Sequence, residues 1–127
     1  MTKWLLIAAG GAFGSVMRYA VHGWVQRATS GNFPWGTLTV NVVGCALIGF
    51  LAATFAGPRP IREEYRLAII VGVLGGFTTF SAFGWETFSL ASDRHFAFVA
   101  LNIILSVGVG LFAVWAGYRA AEAVFRF

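Results

Sequence analysis

The sequence predicts an all-α membrane protein with four transmembrane helices per subunit, the third of them broken near its middle. Three observations carry this. Of 127 residues, 58% are hydrophobic and only 11% are charged, against roughly 45–50% apolar residues in soluble domains. The apolar residues gather into four runs, at about 4–24, 36–56, 67–90 and 96–117, each close to the roughly 20 helical residues that cross a hydrocarbon core of about 30 Å. The third run is interrupted inside, by "GGFTTFSAF" at 75–83.

The first run opens with Lys3 before "WLLIAAGGAFG". A signal peptide opens the same way, but here the apolar character continues past the small residues and three more runs follow, so it reads as a retained span. Gly10 and Gly14 have the four-residue spacing that lets helix backbones approach closely, as do Gly72 with Gly76 and Ser106 with Gly110. Arg18, in "GAFGSVMRYAVHGW", lies deep in the run. Either its long stem snorkels to the far surface or it serves a function at depth.

A turn at Gly31, Asn32 and Pro34 leads into the second run, whose "WGTLTVNVVG" places Thr37 and Asn41 one turn apart on one face. The Asn41 amide can bind a neighbouring helix or offer an N–H to an anion, and the sequence leaves both open. The charged, proline-containing "GPRPIREE" then leads to the third run. There Gly75 and Gly76 weaken the helix, while Thr78, Thr79 and Ser81 can satisfy the backbone groups a break would free. Breaks of this kind let freed carbonyls coordinate a cation such as sodium. Phe80 and Phe83 share a face just beyond the break. They are ordinary packing residues or, beside hydroxyls and Asn41, ring edges turned to an anion. Glu86 follows, then the short "SDRH", then a fourth run in which Asn102 and Ser106 stack four residues apart and Gly110 extends the stripe.

Other chemistries are excluded. The single cysteine, Cys45, permits no intrachain disulfide or cysteine metal site. His22 and His95 sit near span ends without metal-ligand spacing, and no nucleophile–base constellation or phosphate loop is visible, so no enzyme is expected. The net charge of +4 is scattered at the ends of apolar runs, which suits lipid headgroups and not nucleic acid. Lys3, Arg59, Arg62, Arg66, Arg119 and Arg126 fall on the amino-terminal side against Arg27 and Arg94 opposite, favouring a cytoplasmic amino terminus. The whole chain, 1–127, reads as one domain. Four spans are few to enclose a hydrophilic path, so an oligomer is expected.

The motifs "GGAFGSVMRY", "WGTLTVNVVG" and "GVLGGFTTFSAFGWE" together resemble the Fluc (CrcB) fluoride channels over essentially the whole chain. The resemblance implies a fluoride-selective channel in the cell (inner) membrane, which exports fluoride passively through pores at the interface of an antiparallel, dual-topology dimer. It also implies a structural sodium ion on the two-fold axis, held by the backbone carbonyls of Gly75 and Thr78 from each copy. Asn41, Phe80 and Phe83 match the family's pore residues, with Thr79, Ser81, Asn102 and Ser106 adding polar groups along the path. Arg18 matches its vestibule arginine. Two features depart from the pattern: the usual "FSTFS" is "FSAFG", with Ala82 and Gly84 in place of hydroxyl residues, and Gly110 stands where a hydroxyl is common. The charge bias favours one orientation, so the partner is a second copy or an oppositely oriented paralogue.

Two rival classes remain. A small proton-coupled drug exporter of the small multidrug resistance type shares the length and packing, but it uses a first-span carboxylate that this chain lacks; Glu86 is the only embedded acid. A non-transporting assembly subunit would use the glycines and asparagines only to bind helices.

Overall fold

The computed structural model describes residues 1–57 and 61–125. Helix α1 spans Thr2–Ala28 and α2 spans Trp35–Ala56. Helix α3 covers residues 63–77, regular over Glu63–Leu67, widened into π-type turns over Ala68–Leu74 and regular again over Gly75–Phe77. Helix α4 spans Phe80–Ser92, and α5 spans Phe96–Phe125 with a second widened stretch at Leu105–Val109. With α3 and α4 taken together as Glu63–Ser92, four spans are long and apolar enough to cross a bilayer, and the chain is a multi-pass membrane protein. Arg59 and Arg126, two of the charges used for orientation, lie outside the described residues.

Two helix pairs form the bundle, α1 on α3 and α2 on α5. In the first, Gly10 and Gly14 meet Gly72, Val73 and the Phe77 amide backbone, and Gly76 lies on Gly11. A side chain at Gly10, Gly14, Gly72 or Gly76 would strike main-chain atoms, so the spacing seen in the sequence serves packing within one subunit. In the second pair, Gly49 faces the Val114 carbonyl and Gly117 faces the Ala46 carbonyl. Ala113, Gly117 and Ala121, all buried, recur every four residues along α5; this small-residue stripe has the same spacing but is not among the pairs singled out from the sequence. Ser106 and Gly110 make no such seam, since a Cβ on Gly110 would meet only the Cys45 sulfur, at 3.6 Å.

Between α1 and α2, Ser30 and Gly31 take positive φ (22° and 127°). Gln26 ties this turn down: its amide donates to the carbonyls of Phe33 (3.1 Å) and Gly31 (3.4 Å), and its Oε1 accepts the Gly36 N–H (3.1 Å). At the same end, Arg94 adopts φ 60° to turn α4 into α5. The buried apolar core is small, led by Val40, Ala53 and Ala121. Long hydrophobic side chains lie mostly on the outside, as lipid requires.

Candidate functional site

The third span is broken, but not at its glycines. Gly75 and Gly76 remain helical, and the extended residues are Thr78 (φ −83°, ψ 159°) and Thr79 (φ −153°, ψ 119°). Asn41 holds the break from the opposite helix. Its Nδ2 donates to the Thr79 carbonyl (2.9 Å) and its Oδ1 accepts the Thr79 N–H (2.8 Å), so one side chain satisfies both backbone groups of the most extended residue. Thr79 then caps α4, accepting the Ala82 N–H on Oγ1 at 3.2 Å, with Ser81 Oγ 3.3 Å away. Thr78 Oγ1 donates to the Leu74 carbonyl (2.9 Å).

These bonds redirect the donors a continuous helix would use. The Thr79 N–H would reach the Gly75 carbonyl, and the Ala82 N–H would reach the Thr78 carbonyl. Both donate to side chains instead, so the two carbonyls that the family resemblance assigns to sodium are those whose helical donors are taken away. An all-oxygen donor set suits a hard cation.

Beside the break runs a groove of about 550 Å³, lined among others by Asn41, Gly75, Thr78, Thr79, Phe80, Phe83, Ser106 and Gly110. Both widened stretches border it, through Ile70 and Leu74 on one side and Ser106 and Val107 on the other. Widened turns re-route backbone bonds at membrane depth and recur at functional sites. The rings of Phe80 and Phe83 lie 5.6 Å apart with planes inclined by 43°. Phe83 is half-buried, whereas Phe80 is 83% exposed and meets no cover within its own chain.

The remaining predicted residues lie at varied distances from this groove. Ser106 lines it, whereas Asn102 is buried (1% exposed) and does not. Asn102 Nδ2 donates to Thr87 Oγ1 (2.9 Å), whose hydroxyl donates to the Phe83 carbonyl (2.7 Å), and Ser106 Oγ donates to Asn102 Oδ1 (3.4 Å). Ser81 is exposed on the first turn of α4. Arg18 is half-buried on α1 and has no carboxylate partner among the described residues. Ala82 is half-buried, and Gly84 is exposed with open space around it.

A second junction joins three helices toward the α1–α2 turn. Thr37 donates to Glu86 Oε1 (2.6 Å), and His22 Nε2 lies 3.7 Å from the same oxygen. Among the described residues, Glu86 Oε2 is buried without a hydrogen-bond partner. Asn41–Thr79 and Thr37–Glu86 therefore bolt α2 to α4 and its N-cap from positions one turn apart on α2. The sequence placed Thr37 below Asn41, but it held no sign that Glu86 would answer it across 49 residues.

The family model described as CrcB-like protein, Camphor Resistance (CrcB), matches residues 5–118. The chain is 46% identical over 122 residues to the fluoride-specific ion channel FluC of Geobacter sulfurreducens, covering 96% of this chain and 98% of that protein. It is 45% identical over 124 residues to the FluC of Rhizobium johnstonii (98% and 99% covered) and 40% identical over 128 residues to that of Paramagnetospirillum magneticum (99% and 100% covered).

Proposed function

The chain belongs to the CrcB-like family, and from that membership we propose that it is a fluoride-selective channel of the cell (inner) membrane, not an enzyme, letting fluoride leave the cytoplasm down its electrochemical gradient. The observation that carries the reading is the groove, where Phe80, Phe83, Ser106 and Asn41 converge on a helix break that Asn41 itself holds open.

The working unit is the whole four-helix chain, paired with a second copy in the opposite orientation or with an oppositely facing paralogue. One chain forms only one wall of the path, and Phe80 stands out from that wall uncovered. A second wall would enclose the groove and place ring edges, which are the positive part of an aromatic ring, beside a dehydrating anion. Arg18 at the vestibule draws anions in, and several weak sites in series let fluoride enter and leave again. The hydroxyls of Thr79, Ser81 and Ser106 and the remaining Asn41 N–H are the available donors; Asn102 acts from behind Ser106. Gly75 and Thr78 are the residues that would hold sodium, whose charge would join two copies through backbone oxygen.

The test is fluoride efflux from liposomes containing the purified protein, followed with a fluoride electrode, with chloride as competitor and a potassium ionophore to clamp charge. Fast, fluoride-selective efflux that requires the ionophore is expected, and Phe80→Ile abolishes it while the dimer survives. Full efflux from Phe80→Ile would overturn the pore assignment.

A further inference from the structure

The hydrogen-bonded chain behind the groove has a direction, and Thr87 sets it. The Thr87 hydroxyl has one proton, donated to the Phe83 carbonyl at 2.7 Å. Toward α5 its oxygen can therefore only accept. The Asn102 amide must turn its N–H₂ end to Thr87 (2.9 Å), which leaves Oδ1 facing Ser106. Ser106 answers by pointing its own proton at Oδ1, away from the groove it lines. Asn102 is 1% exposed, so water cannot substitute for either contact. The Ser106–Asn102 bond, at 3.4 Å, is long for O–H···O and the weakest of the three.

We propose that Thr87 is a positioning residue for the groove hydroxyl: by fixing which end of the Asn102 amide faces α4, it parks the Ser106 proton on a weak acceptor from which an anion in the groove can draw it. This rests on the groove being the anion path. An amide turned the other way would aim N–H at Ser106, occupy its lone pair and leave its proton permanently free, a donor that holds any anion too tightly, which slows its release and admits chloride as readily as fluoride. A resting acceptor makes the hydroxyl a conditional donor, available to an anion that binds more strongly than a neutral amide oxygen. Fluoride meets that condition better than chloride, so Thr87 bears on selectivity as well as rate.

The test compares Thr87→Val, Thr87→Ser, Asn102→Leu and the double variant Thr87→Val/Asn102→Leu, reading fluoride efflux, the fluoride-to-chloride ratio and thermal unfolding. Thr87→Val is expected to slow fluoride efflux about tenfold, one hydrogen bond's worth of barrier, and to lower the ratio, with Thr87→Ser restoring both. Removing both partners leaves no buried group unpaired, so the double variant recovers stability, yet its efflux and ratio stay impaired. Wild-type efflux and ratio in Thr87→Val, or an equal defect in Thr87→Ser, overturns the proposal. If Thr87→Val does not fold, the double variant decides: normal ratio and rate would sink it, impairment supports it. If the wild type itself passes no fluoride, the channel reading fails separately, and the unfolding data still judge the contact: additive losses overturn it, coupled losses support it.

Discussion

At the α1–α3 seam, Gly10, Gly14, Gly72 and Gly76 bring backbone onto backbone, whereas Gly84 faces open space, and Gly75 and Gly110, beside the groove, would each set a Cβ only in ordinary contact with one atom, the Ile70 carbonyl oxygen (3.8 Å) and the Cys45 sulfur (3.6 Å). The residue type is the same and the use is opposite. In the seam, the missing side chain is filled by another helix of the same chain. Beside the groove no helix backbone of this chain fills it, and polar groups collect there: Asn41, Thr78, Thr79 and Ser106 line the space, while Thr87 bonds to the carbonyl of the groove residue Phe83. A glycine in a membrane helix thus marks either a contact already made or room left for something outside, and only the neighbours tell which. The seams are where this chain holds itself together, and the groove is where it is incomplete.

The largest effect should come from filling a seam. Gly49→Leu would push a side chain into the Val114 carbonyl, main chain that cannot step aside without moving α5. Overpacking of this kind costs about 1–3 kcal/mol or more, and here it separates α2 from α5 along their whole contact. Loss of monodisperse protein on gel filtration is the expected result. A Gly49→Leu variant that folds and conducts normally would break the distinction between seam and groove.

Next in size is Asn41→Leu, which removes the one side chain spanning the break. It leaves the Thr79 N–H and C=O unpaired, at about 1–3 kcal/mol for each buried group, and should lower the unfolding temperature while stopping efflux. Asn41→Asp keeps the acceptor for the Thr79 N–H but sets a carboxylate oxygen against the Thr79 carbonyl, so its loss of stability should be at least as large as that from losing the single donor. If Asn41→Leu unfolds like the wild type, the latch contributes nothing and Asn41 acts on the anion alone.

How much of this the sequence revealed follows from range. The four spans, the interrupted third one and the Gly10, Gly14, Gly72 and Gly76 spacing are local patterns, set by hydropathy and by periods of three to four residues, and they were legible. The exact position of the break was not: Gly75 and Gly76 are the weakest helix formers in "GGFTTFSAF", yet both stay helical, Gly76 pressed against Gly11 of α1, and the extended backbone falls at Thr78 and Thr79. The pairings that build the site, Asn41 with Thr79 and Thr37 with Glu86, join residues 38 and 49 positions apart, and no periodicity connects them. Asn102 shows the same limit, since a polar residue four before Ser106 looks like another groove residue until burial places it behind.

A smaller effect concerns the cation. Replacing sodium with a bulky organic cation should weaken the association of two copies and slow efflux, while the fold of each chain, held by its seams, keeps its unfolding profile. Efflux and dimer unchanged after prolonged, verified sodium removal would take the Gly75 and Thr78 carbonyls out of the interface.

The smallest change sharpens the comparison most, because it is one methyl group placed twice. Gly76→Ala sets a Cβ 2.5 Å from the Gly11 carbonyl oxygen, so α1 and α3 must part and stability falls. Gly84→Ala, in the interior of α4, meets nothing within 4 Å, and the gain in helix propensity should stabilise a single chain by about 0.5–1 kcal/mol. Opposite signs for one chemical change, read as shifts in unfolding temperature of the monomer in detergent, are the expected outcome. The proposed dimer adds a further reading. If Gly84→Ala stabilises the monomer but loosens the dimer, the room beside Gly84 belongs to the second copy, and the glycine that replaces a hydroxyl of the family pattern is there for a close approach between subunits. If monomer and dimer gain alike, that face of α4 meets lipid or water, and the missing hydroxyl at Gly84 is a polar group the fluoride path does without.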